Sequence, residues 1–78
     1  MTFNTKPRMT KYNQEHGSPY DRGNADSYYR RAPEPHWWPQ GSYKGSRIDE
    51  CDMTPSEIEA YNAGYDENEK DGNYKDYG

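Results

Sequence analysis

The chain contains no Leu and no Val, and Leu, Ile, Val and Phe together supply three of its 78 residues: Phe3, Ile48 and Ile58. That scarcity excludes an ordinary aliphatic core and sits in the range where disorder is the default. A domain of this length also has little burial to draw on. Cys51 stands alone, which excludes an intramolecular disulfide, and nothing resembles a zinc ligand set. No apolar run approaches the roughly 18 residues of a membrane span, and no signal-peptide pattern opens the chain. The sequence therefore reads as soluble and intracellular, without membrane contact. Gly-rich phosphate loops and Gly-x-Ser-x-Gly are missing too.

What remains is aromatic: nine Tyr and two Trp stand beside seven Gly and six Pro. Aromatic rings bury large areas, so the expected core is Tyr and Trp packed on Ala, Gly and the two Ile. Such a mini-core is thin, and a partner or self-association is a natural source of further stability.

The clearest local signal is Thr54-Pro55-Ser56-Glu57. Thr54 and Glu57 have capping-box spacing, and Pro55 falls at the first helical position, where its missing N–H is harmless. Ile58, Tyr61 and Tyr65 follow at offsets of three and four, on one helical face. This helix is expected to fade between Tyr65 and Gly72, where Asp71-Gly72 supplies a stop. Ser18-Pro19-Tyr20-Asp21 opens a second helix by the same logic, with the pattern running from Pro19 to Arg31. Gly23 inside it costs about 1 kcal/mol relative to Ala, which points to a packing reason for its presence. Tyr20-x-x-Gly23 and Tyr61-x-x-Gly64 echo one another, so Gly23 and Gly64 are the expected crossing point, flanked by tyrosines.

Between the helices, Pro33-Glu34-Pro35-His36-Trp37-Trp38-Pro39 cannot be helical. Gly41 to Ser46 is turn-rich, and Arg47 to Asp52 is at most a short extended piece. The expected fold is a small α protein of two short capped helices crossing at glycines, with an aromatic mini-core, a Pro/Trp-rich irregular linker and flexible termini. Its organisation is a flexible basic arm over 1–17, a small two-helix domain over 18–72 and a C-terminal tail over 73–78.

Charge is divided: residues 1–47 carry +4 and residues 48–78 carry −8. The halves can attract each other and leave a solvated acidic tail, or the asymmetry can steer a partner. Asp66, Glu67 and Glu69 form the candidate acidic patch. Asp66 to Gly72 looks superficially like a calcium loop, but its entry is Glu67 and its twelfth position is Gly78 instead of a bidentate Glu. No metal and no cofactor are expected. A nucleophile pair of Cys51 with His16 or His36 would need distant parts of a thin fold to hold hydrogen-bond geometry. Cys51 is read as half-buried and inert, and the chain as no enzyme.

Arg22, Arg30 and Arg31 lie near Tyr28, Tyr29, Trp37 and Trp38 in sequence. Arginine beside aromatics suits phosphate contact with base stacking, and equally a protein-binding hot spot. The plainer assignment makes the rings core, with Tyr28 and one Trp inside and the other Trp joining Arg30 and Arg31 at a contact. The candidate partner-binding patch is Tyr28, Tyr29, Arg30, Arg31, His36, Trp37 and Trp38. The acidic second half argues against simple nucleic-acid binding.

The stretches Ser18 to Arg31, Pro35 to Pro39, Met53 to Asn68 and Lys75 to Gly78 resemble small proteins encoded by tailed bacteriophages. More distantly, Tyr20-Asp21-Arg22-Gly23 and Ala60 to Tyr65 are similar to the ribosome modulation factor family, although that family is strongly basic. The first resemblance implies no established activity; the expected role is that of a non-catalytic phage accessory protein in the host bacterial cytoplasm, binding a host or phage macromolecule, above all a protein, and modulating it. The second implies ribosome or RNA binding. A self-assembling virion or structural component, hence a homo-oligomer, is the third expectation.

Overall fold

A computed structural model describes residues 12–72 together with Tyr74 and Lys75. Its elements in chain order are α1 (Pro19–Tyr28), β1 (His36–Trp37), β2 (Ile48–Asp49), a single 3-10 turn (Glu50–Asp52) and α2 (Pro55–Asp71). The two helices pack on each other, and β1 pairs antiparallel with β2 in the register His36↔Asp49 and Trp37↔Ile48. The linker expected to be irregular thus contains a small strand pair.

Both helices start where their caps dictate. Thr54 Oγ1 accepts from the Glu57 N–H at 3.2 Å while Glu57 accepts from the Thr54 N–H at 2.9 Å, closing the capping box. At α1, Ser18 Oγ accepts from the Asp21 N–H at 3.3 Å, and the Asp21 carboxylate accepts from the Gly17 N–H at 2.9 Å. Gly17 has φ +92°, and a Cβ there would meet the Trp38 carbonyl oxygen at 2.6 Å. The linker crosses the start of α1 at this point, with the Trp38 N–H donating to the Gly17 carbonyl at 2.8 Å.

The C-terminal ends differ. α2 stops at Gly72, in the left-handed conformation with φ +66°. α1 stops at Tyr28, three residues short of the Arg31 that its pattern suggested. Arg30 takes the left-handed position at φ +62°. Its N–H donates to the Ser27 carbonyl at 2.9 Å, and the Arg31 N–H to the Asp26 carbonyl at 2.8 Å. These are the two bonds of a Schellman motif, with Arg where Gly is usual. The left-handed geometry costs a non-glycine residue about 1–2 kcal/mol.

The interior is only partly aromatic. Tyr61 is fully buried and Tyr20, Met53 and Ala60 accompany it, but Ser18, Arg22, Asp26, Ser27, His36 and Asn68 are buried as well. Ile58 and Tyr65, assigned to the helix contact, are half-buried. Tyr65 reaches back from α2 to donate to the Arg31 carbonyl at 2.5 Å. The helices approach at backbone distance: a Cβ on Gly23 would lie 2.0 Å from the Tyr61 carbonyl oxygen, and one on Gly64 would lie 2.1 Å from the Tyr20 carbonyl oxygen. The two contacts interchange when Tyr20 is matched to Tyr61 and Gly23 to Gly64, so the crossing has a local two-fold relation. Asn24 adds a hydrogen bond from its Nδ2 to the Gly64 carbonyl at 3.0 Å.

Of the arm expected over 1–17, residues 1–11 lie outside the described ones, and residues 12–17 run up to the start of α1. Tyr12 stacks on Tyr20 with centroids 5.9 Å apart and donates to Glu59 at 2.6 Å. From the tail expected over 73–78, residues 73 and 76–78 lie outside the described ones. The Lys75 N–H donates to the Tyr28 carbonyl at 2.7 Å.

Candidate binding site

The site begins with Asp26, whose carboxylate sits under the α1–linker junction. Tyr61 donates its hydroxyl to Asp26 Oδ2 and accepts the Glu34 N–H at 2.9 Å. Burial pushes the Tyr61 phenol well above its ordinary pKa, and the bond to Asp26 adds to this. Arg31 Nη1 donates to Asp26 Oδ1 at 3.3 Å, and Arg22 Nη2 lies 3.9 Å from the same oxygen. Arg22 and Asp26 are four residues apart on α1, so they share a face.

Arg22 is the hub of the surrounding loops. Its Nε donates to His36 Nε2 at 3.2 Å, Nη1 to Ser42 Oγ at 3.1 Å and Nη2 to the Tyr43 hydroxyl at 3.4 Å. Because Arg22 is always a donor, His36 Nε2 must be the accepting nitrogen. Nδ1 then carries the proton and donates to the Glu34 carbonyl at 2.7 Å. His36 is therefore the neutral Nδ1–H tautomer, with both ring nitrogens engaged. Burial is the largest cause of its lowered pKa, and the charges of Arg47 and Arg22 act in the same direction. The Glu34 carbonyl and Asp26 oppose the shift.

Tyr43 closes the arrangement. It sits at φ +66° between Gly41 and Gly45 with two-thirds of its surface exposed. Its ring lies 5.2 Å from the Arg22 guanidinium and 5.4 Å from Trp38. Arg31, then Arg22, pull the Tyr43 phenol below its ordinary pKa, and Tyr43 in turn helps hold Arg31 charged. Arg31 also lies over the Tyr29 ring at 5.1 Å.

Arg22, Arg31 and Tyr43 form a wall shared by two cavities. One, about 240 Å³, is completed by Asp26, Glu34, His36, Trp38 and Arg47. The other, about 500 Å³, is completed by His16, Asp21, Tyr29 and Ser42. Arg47 is already paired, with Asp49 at 2.6 Å and Glu34 at 3.1 Å.

The residues of the expected patch are not all on one face of this site. Tyr29, Arg31, Trp38 and His36 line the cavities, and His36, 5 % exposed, also anchors Arg22. Trp37 and Trp38 are both half-buried, and neither indole N–H reaches an acceptor among the described residues. Tyr28 is half-buried with its ring edge-on to Tyr29 at 5.0 Å. Arg30 lies over Tyr74 at 5.0 Å, on the tail side. In the acidic patch, Asp66 and Glu67 are exposed. Glu69 accepts from Ser27 at 2.6 Å and from Tyr74 at 3.1 Å, so it fastens α2 to α1 and to the tail. Cys51, expected half-buried, is exposed.

Tyr43, Arg47 and Asp26 were not singled out from the sequence. Asp26 had a signal in its spacing from Arg22; Tyr43 had only its flanking glycines. Among the described residues no group of three His, Cys, Asp or Glu could hold a metal ion, and no helix is long and apolar enough to cross a membrane. Set against family models, curated proteins and solved structures, the chain finds no match.

Proposed function

We propose that this is a non-catalytic accessory protein that binds a protein partner through the Arg31–Tyr43 face and modulates it. On the resemblance to small tailed-bacteriophage proteins, the partner is a host or phage protein in the bacterial cytoplasm. The observation that carries the reading is the wall of Arg22, Arg31 and Tyr43 shared by two cavities, with Tyr29 and Trp38 on either side. Tyr, Trp and Arg are the residues that dominate protein-binding hot spots. Here Arg22 and Asp26, buried beneath, hold them in place. The crossing at Gly23 and Gly64 supplies the rigid support such a face requires.

RNA binding is less well supported by the same geometry. Guanidinium groups already cover one face of Tyr29 and one of Tyr43, the rings a base would stack on. The net charge of the chain is −4, unfavourable for a phosphate backbone.

The reading is tested by affinity capture from bacterial lysate with tagged protein, with and without RNase and across a salt series. A partner retained after RNase, and lost with the pair Arg31→Ala and Tyr43→Ala, supports it. Recovery of ribosomal proteins that disappears with RNase would replace it with the ribosome reading.

A further inference from the structure

Resting on that protein-binding reading, we infer that the cavity of about 240 Å³ receives a single carboxylate, an acidic side chain of the partner, on the Arg31 guanidinium. Three observations lead there. The first is charge. The lining holds Arg22, Arg31 and Arg47 against Asp26 and Glu34, and His36 is neutral by its hydrogen bonds, so the cavity carries a net +1. One carboxylate neutralises it; a phosphate dianion leaves it negative.

The second is which arginine is available. Arg22 is 6 % exposed and holds His36, Ser42 and Tyr43, and Arg47 is bound to two carboxylates. The Arg31 side chain is half exposed; Asp26 takes one Nη at 3.3 Å and the Tyr43 hydroxyl is hydrogen-bonded to the guanidinium, which still leaves N–H donors among its five. A planar guanidinium fork with free N–H donors matches a carboxylate in two parallel hydrogen bonds, a geometry that Lys cannot reproduce.

The third is Tyr43. A non-glycine residue held at positive φ on an exposed loop stores strain, and such strain gathers at ligand clamps. Its hydroxyl lies beside Arg31 and 3.4 Å from Arg22 Nη2, an oxygen where an anion would be stabilised. Either Tyr43 donates its O–H to the incoming carboxylate, or it yields its place to it.

The test follows the side-chain N–H signals of ¹⁵N-labelled arginine by NMR while three probes are added to the full chain: acetyl-tetraglutamate amide, acetate and inorganic phosphate. The amide-capped peptide and acetate separate side-chain recognition from that of a small free carboxylate. We expect saturable shifts of the Arg31 Nε–H with the peptide, and an affinity about tenfold or more lower in Arg31→Lys, read there from the Nε–H signals of Arg22 and Arg47, which line the same cavity. The Arg31→Lys protein should still unfold in one cooperative transition, since Lys keeps a positive charge facing Asp26 and Tyr61 still donates to that carboxylate. Absence of a saturable shift, tighter binding of phosphate than of the peptide, or equal binding by Arg31→Lys would each overturn the inference. If the captured partner is still lost on Arg31→Ala while no carboxylate binds, the protein-binding reading stands and the carboxylate assignment alone fails.

Discussion

Replacing Gly64 by Ala adds one methyl group, and it lands 2.1 Å from the Tyr20 carbonyl oxygen and 2.9 Å from its carbon. Both neighbours are backbone, so no side-chain rotation relieves the overlap. Restoring an ordinary contact of 3.4 Å requires the helices to part by about 1.3 Å. Overpacking costs about 1–3 kcal/mol, and a backbone-on-backbone clash belongs at the upper end. Loss of the Asn24–Gly64 hydrogen bond adds about 1 kcal/mol. The better helix propensity of Ala returns about 1 kcal/mol. The expected net loss is about 3 kcal/mol, a large part of the roughly 4–12 kcal/mol typical of a chain this size. Urea unfolding followed by Trp fluorescence measures it. Gly23→Ala should cost a similar amount, and the double variant clearly less than the sum, because one separation of the helices relieves both clashes. Gly72→Ala is the control: nothing lies within 4 Å of its added Cβ, so only the left-handed backbone penalty of about 1–2 kcal/mol applies. A Gly64→Ala protein as stable as wild type, or more so, would refute the close crossing.

Tyr61→Phe removes the donor to Asp26 and the acceptor of the Glu34 N–H, leaving a buried carboxylate and amide short of partners; a loss of about 2–3 kcal/mol in urea unfolding is expected, and a neutral result would show that this bond pair is not formed. His36 has a lowered pKa in the folded chain, so the unfolded chain takes up its proton first as the solution is acidified. Its contribution is complete above the unfolded value of about 6.5 and is lost as pH falls from there toward the folded value. The His36 ring signal should titrate below that of a histidine in a short reference peptide, and a midpoint at or above the reference would contradict the buried neutral tautomer. Thr54→Ala breaks the capping box of α2 and should cost about 1 kcal/mol, lowering Tm by about 4–8 °C in a far-UV dichroism melt.

Helix starts were legible because their chemistry is local. Ser18 and Thr54 each cap the amide three residues on, with Pro behind them, and nothing distant is needed to read that. The stop of α2 was legible for the same reason, since Gly72 announces it. The stop of α1 was not, because Arg30 occupies a position where glycine would have been the signal. Arg47 to Asp52 was legible as a short extended piece, but its pairing with His36–Trp37 was not, because two residues have no periodicity to display. The hydrogen-bonding role of His36 was not legible for a deeper reason. Its role is fixed by Arg22, fourteen residues away, and by the Glu34 carbonyl, neither of which a sequence pattern joins to it.

The same contrast explains how a chain without Leu or Val holds a defined interior. Apolar side chains can be exchanged for one another with modest loss, so an aliphatic core tolerates imprecision. Here Tyr61 donates to Asp26 and Arg22 to His36, with Arg22 Nη2 3.9 Å from Asp26, and Ser27, Asn68 and Glu69 form a second chain of explicit donors and acceptors. Asn68 Nδ2 donates to Ser27 Oγ at 2.9 Å, and the Ser27 hydroxyl in turn donates to Glu69 at 2.6 Å. Each bond is directional, so every member fixes the position of the next, and losing one leaves a buried polar group unmatched. The network that supports the interior also orients Arg31, because Asp26 is common to both. A substitution in the buried half, such as Tyr61→Phe, should therefore disturb the Arg31 face without touching it. Arg31→Lys, on the exposed half, should leave the interior intact. That asymmetry follows from burial: Tyr61 and Arg31 both donate to Asp26, Tyr61 from the buried side and Arg31 from the half-exposed side.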